Sequence, residues 1–579
     1  MSQTDDDSVR TLITGGTVLV LDGTTPAQEA VITENGRVVA VGAEDEMRSL
    51  AGAGARRLDL DGATAMPGLI DGHPHFQHFG GWQAPLVDIL DCRNHAEIVE
   101  RIRARAAETP PGEWIMVTPV GEPHYFTRRS YHDLEERRLP DRHVLDRATS
   151  AHPVMIQAWG PRTPNLTALN SMALKVLDIG RWTPAKVCDV EILKDPDDGY
   201  RPTGILRGPV GIYYTDDPWW MQVRRRLPAP PADFWEQGAL HGQRTANRIG
   251  VTSAYEAHAM DLDLIEAYQA VRDRDQLTMR VCAALELANW VSDPMIDPTP
   301  DYIRSQLDLA KSLTQTEDEL LRVNGVTCIR GAICWSGHFR HYEPYLDPFG
   351  GTKLGRPAYP GWAEKMAIEY CCENDLRLNM GLVSYVDHDE FLRHLEPYID
   401  RYDVATRDWV MQHCVYINEA QAKRYSELNF QVTQCSGFLW AFGDVDAERI
   451  GEHILDDLGP TKRLIDHGLN VTASTDWGPT NPFEQMWLAE TRERSSGIRH
   501  KLTGPTITRA ETLATWTRNG AALMGWDDIG SLAPGNHADI TIVDRDPASC
   551  ELDALKDTQV LRTILGGRAV YDDGTLKEA

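Results

Sequence analysis

Eight short β-forming runs, most of them followed by a stretch with helical spacing, constrain this chain more than any other feature. They are AMPGLIDGHPHF (65–76), GVTSAYEAH (250–258), TMRVCAALEL (278–287), VNGVTCIRGAI (323–333), LRLNMGLVSY (376–385), DWVMQHC (408–414), FQVTQC (430–435) and NVTASTDW (470–477). Helical stretches such as FWEQGALHGQRTANRI and RAETLATWTRNGAALMG alternate with them. Strand–helix alternation of this kind marks a parallel sheet, and eight such units predict an α/β fold, a (β/α)8 TIM-type barrel. In such a barrel, catalytic groups sit at the C-terminal ends of the strands.

The two ends of the chain read differently. TLITGGTVLVLDG and AVITENGRVVAVG are β-rich runs closed by Asp22-Gly23 or hinged on Asn35-Gly36, a hairpin signal. HADITIVDRD and TQVLRTILGGRAVYDDG repeat that texture near the C-terminus. The expected layout is therefore a composite β-domain built from residues 1–64 and 529–579, flanking a barrel over 65–528. The stretch between the first two barrel strands, about 80–232, is too long for one crossover and predicts an inserted subdomain over the barrel mouth.

Charge and composition exclude several functions. Lys+Arg number 58 against 86 Asp+Glu, a net charge of −28. So acidic a surface repels phosphate, which argues against nucleic-acid partners and docking to anionic membranes. No run approaches the ~18 uninterrupted apolar residues of a membrane span. The opening MSQTDDDSVR has no apolar core of a secretory signal, and the ten cysteines form no CxxC pair. Together these lead to the expectation of a cytoplasmic enzyme with a small-molecule substrate.

The sharpest local signal is Asp71-Gly72-His73-Pro74-His75, directly after the apolar Met66-Pro67-Gly68-Leu69-Ile70. Residues i and i+2 of a strand share a face, so His73 and His75 present two imidazoles side by side. Neutral imidazole is the commonest protein ligand of zinc.

This signature resembles strand one of the amidohydrolase superfamily, and within it the YtcJ-like branch (amidohydrolase family 3), which includes N-substituted formamide deformylases. Pro202-Thr203-Gly204-Ile205-Leu206-Arg207, Gly250-Val251-Thr252-Ser253, Ser474-Thr475-Asp476 with Asn481-Pro482, and Gly530-Ser531-Leu532-Ala533-Pro534-Gly535-Asn536-His537-Ala538-Asp539 extend the resemblance along nearly the whole chain. It implies one or two divalent metals, held by strand-one histidines, a strand-four Lys or Glu, histidines from strands five and six, and a strand-eight Asp. Asp476 matches the last position and would both bind metal and take a proton from its water. His413 matches the strand-six histidine, although a lone His ending an apolar run also suits a hydrogen-bonded core residue.

The chain departs from the pattern in three places. Thr327 stands where a bridging Lys is expected, Gly381 where the strand-five histidine is expected, and Trp159-Gly160-Pro161 replaces Asp-Gly-His. The expectation is thus a mononuclear centre, best suited to one Zn²⁺, on His73, His75 and Asp476, with His413 as a fourth ligand or a donor behind the ligands. Glu256 or His258, ending strand two, is a candidate to complete the ligand set. Cys328 and His338 near strand four are weaker candidates, Cys328 reading rather as a small core residue, and Gln434 on strand seven is a candidate cavity-facing hydrogen-bond donor, equally readable as packing. Trp219-Trp220 and Trp335 read as core aromatics, and Arg224-Arg225-Arg226 as a solvated turn or ion-pair partner.

The resemblance implies hydrolysis of a non-peptide C–N bond, with Asp476 and His413 as catalytic residues. A second resemblance, to the large YtcJ-like subunit of two-component 2-aminoisobutyrate hydroxylases, implies a chain that supports a second amidohydrolase-superfamily subunit carrying a bimetallic redox site. Either way an oligomer is expected.

Overall fold

The computed structural model describes residues 10–577, apart from residues 84, 123–127, 159–163, 212–214, 216, 289–297, 332–338, 347–350 and 478–479. Trp159-Gly160-Pro161, Trp335 and His338 lie outside the described residues.

All eight anticipated strands form, and they pair in parallel in chain order. They are β1 (Leu69–Asp71), β2 (Val251–Glu256), β3 (Arg280–Glu286), β4 (Leu321–Ile329), β5 (Leu378–Leu382), β6 (Val410–His413), β7 (Gln431–Gln434) and β8 (Asn470–Ala473). Nearly every residue in them is buried, which is why they read as continuous apolar runs rather than alternating ones. The seam between β8 and β1 closes through a parallel bridge of Pro74 with Asp476 and through Gly72 N–H to the Ala473 carbonyl at 2.9 Å. A Cβ at Gly72 would lie 2.5 Å from Thr472 Cγ2, so only glycine lets the two strands meet. Residues at both edges of the seam thereby arrive at the barrel mouth together.

The helices that bear on the site are α1 (Phe76–Gln83), α2 (Phe234–Arg248), α3 (Leu262–Asp273), α4 (Gly361–Asn374), α5 (Tyr385–Leu395), α6 (Gly437–Arg449) and α7 (Pro482–Thr491). Between α1 and α2 the chain forms a six-stranded sheet, in the order Lys186–Val187, Val190–Asp195, Arg201–Gly208, Asn165–Leu169, Val154–Ile156, Ile115–Val117. This inserted unit has its own core, in which Trp220 is buried and donates its indole N–H to the Gly211 carbonyl at 2.9 Å. Helices α1 and α2 touch almost backbone to backbone. A Cβ at Gly80 would stand 2.1 Å from the Gly238 carbonyl, and one at Gly242 2.1 Å from the Phe76 carbonyl. The insertion reaches the barrel mouth through Arg128, which pairs with Glu484 in the first turn of α7 and lies 5.0 Å from the Trp440 ring centroid on α6.

The chain ends meet in a second β-layer. Thr64–Pro67 pairs antiparallel with Ile540–Val543 in a five-stranded sheet, beside a four-stranded sheet of Arg37–Gly42, Ala30–Glu34, Thr11–Thr14 and Arg56–Asp59. A buried bidentate pair, Arg280 at the start of β3 with Asp539, fastens this layer to the barrel at 2.7 and 3.1 Å. Among the described residues no helix is long and apolar enough to cross a membrane.

Candidate metal centre

Five side chains converge at the mouth: His73 and His75 past the end of β1, His258 past β2, His413 ending β6, and Asp476 past β8. They form two overlapping triplets, His73–His75–Asp476 and His73–His258–His413, in each of which the ligand atoms lie within 4.8 Å of one another. The His73 ring centroid is 5.5 Å from that of His75, 5.4 Å from His258 and 4.3 Å from His413. Asp476 sits between two imidazoles, with Oδ1 3.5 Å from His75 Nε2 and Oδ2 3.7 Å from His413 Nε2.

The surrounding backbone is shaped for this convergence. His413 and Asp476 both adopt positive φ, +67° and +56°, a conformation non-glycine residues rarely take and which clusters at functional sites. Asp476 N–H donates to the His73 carbonyl at 3.1 Å, and Trp477 N–H donates to Asp476 Oδ1 at 2.6 Å. Trp477 stacks flat on His75, centroids 3.9 Å apart and planes at 11°. Asp71 ties the seam by accepting from Thr475 N–H and Oγ1–H at 3.1 and 2.6 Å and from His73 N–H at 3.2 Å.

Burial dominates the electrostatics. It holds His73 and His75 well below the usual imidazole range, and the neighbouring histidines push the same way. His413 is likewise held well down by burial and by His258, while burial brings His258 to about 3. All four rings are therefore neutral, the form that carries a lone pair for a metal. Burial, assisted by Asp71, raises Asp476 well above the ordinary carboxylate range, and burial brings Asp71 to about 6.

These residues fit a divalent metal. Both ring nitrogens of His73 and of His75, and Nδ1 of His413, are buried with no hydrogen-bond partner among the described residues. Folded proteins rarely leave buried polar atoms so. Three or more imidazoles with one carboxylate form a donor set suited to zinc and its neighbours.

Of the residues singled out from sequence, His73, His75, His258, His413 and Asp476 come together, and Glu256 does not. The strand ends at Glu256, whose side chain turns outward: Oε1 accepts Tyr268 Oη–H on α3 at 3.0 Å and Gln77 N–H at 3.4 Å. Cys328 is a buried core thiol. Gln434 Oε1 accepts from Thr461 Oγ1. Arg226 donates to the Leu177 carbonyl at 2.9 Å within the insertion. The reading of the sequence missed Glu286, whose Oε2 lies 2.9 Å from His258 Nδ1. The signal was available: a carboxylate inside the apolar run Ala283-Ala284-Leu285-Glu286-Leu287 needs a buried partner.

Comparisons with known proteins identify the family. The sequence pattern of the amidohydrolase family matches residues 56–571. N-substituted formamide deformylase of Arthrobacter pascens is 25% identical, covering 97% of this chain and 98% of its own. YtcJ of Bacillus subtilis, named as an amidohydrolase, is 22% identical over 94% of this chain and 96% of its own. The crystal structure of an uncharacterized metal-dependent hydrolase from Pyrococcus furiosus superposes with a TM-score of 0.68 at 20% identity, covering 93% of this chain and all of that one, and shows the same fold. The chain belongs to the amidohydrolase family, as a metal-dependent hydrolase acting on C–N bonds.

Proposed function

We propose that the chain hydrolyses a non-peptide, amide-like C–N bond of a small molecule, using one Zn²⁺ held by His73, His75 and Asp476 with His413 beside them. The observation that carries this reading is the placement of the Asp476 carboxylate between His75 and His413 at 3.5 and 3.7 Å. When bound, a metal of this kind lowers the pKa of a water from 15.7 to ~7 and polarises the carbonyl under attack.

The protein's own residues do the rest. Asp476 accepts the proton of the attacking water and returns it to the leaving nitrogen, the general acid–base role of a carboxylate beside the reacting group. His413, across Asp476 from His75, holds the carbonyl oxygen as negative charge builds on it. Trp477 locks the His75 ring in place by stacking. Phe438, 6.2 Å from the His413 ring, supplies an apolar wall near the reacting group.

N-substituted formamides are the first substrates to assay, because the deformylase matches end to end. Asp476→Asn should reduce turnover by about 10²–10⁴-fold while leaving metal bound, read by single-turnover kinetics and elemental analysis. Undiminished activity in that variant sinks the assignment. The oxygenase-subunit reading is not favoured, since both relatives above carry hydrolytic names. We place the enzyme in the reducing cytoplasm, which suits its nine described cysteines, all free thiols, and propose that it works as an oligomer.

A further inference from the structure

Thr327 and Gly381 fill the positions where the family resemblance leads one to expect strand-four and strand-five ligands, and neither contributes one. A Cβ on Gly381 would stand 2.3 Å from Ile329 Cδ1, so any side chain there would displace that of Ile329. Thr327 Oγ1 donates to the carbonyl of Ala257, and Gln412 Nε2 from β6 donates to the same oxygen at 2.9 Å.

One residue further along, His258 Nδ1 meets Glu286 Oε2 at 2.9 Å, with both side chains fully buried. The same carboxylate oxygen accepts the Ala259 N–H. Ala259 holds φ at +57°, which an alanine adopts only where its surroundings enforce it. The turn 257–259 is thus gripped from β4, β6 and β3. A carboxylate on Nδ1–H fixes the tautomer whose lone pair is on Nε2, as in carboxylate–histidine–metal arrangements, and the ligand atoms of His258, His73 and His413 lie within 4.8 Å of one another. That face of His258 looks toward His73 and His413, whose ring centroids are both 5.4 Å away.

We infer that His258 takes the place of the missing strand-five ligand, that Glu286 is the positioning residue that aims it, and that the strand-two turn fills the space of a second metal and its bridge, so the centre holds a single ion. This rests on the metal-dependent reading above. It accounts for two absences with one rearrangement: Thr327 is spent on Ala257, and the ligand comes from the turn it holds.

The test uses the full-length chain loaded with Zn²⁺ or Co²⁺, measuring metal per chain, affinity against a chelator, and the visible spectrum of bound Co²⁺. Wild type should bind one ion. His258→Ala should shift the Co²⁺ spectrum and weaken binding, and His258→Gln, which keeps the volume, should do the same if the alanine variant fails to fold. Glu286→Ala should weaken binding about 10–100-fold, with partial recovery in Glu286→Gln, whose amide oxygen can still accept from Nδ1. Glu256→Gln, a neighbouring buried carboxyl turned toward α3, should leave affinity and spectrum unchanged. Two ions per wild-type chain, or a His258→Gln protein with wild-type affinity and spectrum, overturns this inference and leaves the hydrolase reading standing. A wild-type chain that takes up no divalent ion overturns both.

Discussion

Two buried clusters of titratable side chains lie near the strand ends of this barrel, and they are built on opposite terms. Just past β4, Arg330 meets Glu364 of α4 at 2.7 Å and also pairs with Glu390 of α5, while Arg340 reaches Asp387 at 3.1 Å and Glu390 at 2.7 Å. Each carboxylate there faces a guanidinium, and Glu364 and Asp387 are fully buried. At the β8–β1 seam, four neutral imidazoles and a carboxylate crowd together, and several ring nitrogens have no hydrogen-bond partner among the described residues. Burial alone does not separate structure from function. Satisfaction does: a group whose charge is already matched holds elements together, whereas a group left unmatched in the interior is reserved for something that arrives later.

That contrast can be broken from either side. Replacing Arg330 by Met takes the guanidinium away from the fully buried Glu364, while Glu390 keeps Arg340, and should cost about 3–5 kcal/mol in denaturant unfolding. A loss below 1 kcal/mol would place the ion network among the dispensable surface pairs. Stripping metal from the seam should lower stability by about 2.7–4.1 kcal/mol relative to a sample with free metal at 100–1,000 times its Kd, visible as a fall in Tm that metal addition reverses. A Tm indifferent to chelation would mean that the open cluster is not waiting for an ion.

The smallest effect comes from His388, next to Asp387 in the paired region. Burial brings it to about 3, and its Nδ1 lies 3.1 Å from Tyr425 Oη. Below the ordinary imidazole value near 6.5 the unfolded chain takes up a proton there that the folded chain refuses until about pH 3. Its contribution is therefore intact above pH 6.5 and lost as pH falls, by about 2 kcal/mol between pH 6.5 and 5. Stability curves of metal-loaded wild type and His388→Gln should diverge over that window. Parallel curves would contradict this.

The barrel was legible because each strand is buried on both faces and so stands out as an unbroken apolar run between helical stretches. His73, His75, His413 and Asp476 were legible because they sit at the C-terminal ends of such runs. The contest between Glu256 and His258 was not decidable from spacing. Positions i and i+2 share a face only while the strand continues, and here it stops at Glu256 and turns through the left-handed Ala259. A local backbone reversal sends Glu256 toward α3 and His258 toward the mouth, and single-sequence spacing carries no sign of it. The role of Thr327 was hidden for a related reason: its partner is a carbonyl 70 residues away, a contact that exists only once β2 and β4 stand on either side of β3.

The glycine contact between α1 and α2 has a bearing on how such an enzyme changes its diet. Because Gly80, Gly238 and Gly242 bring the two helices into direct touch, the chain leaves the barrel for its insertion and re-enters it at almost the same place. The barrel offers a socket there, and whatever is plugged into it can lengthen, shrink or be exchanged without disturbing the register of β1 and β2. Selectivity and chemistry then evolve on separate parts, with the five converging side chains untouched while the unit above them is rewritten.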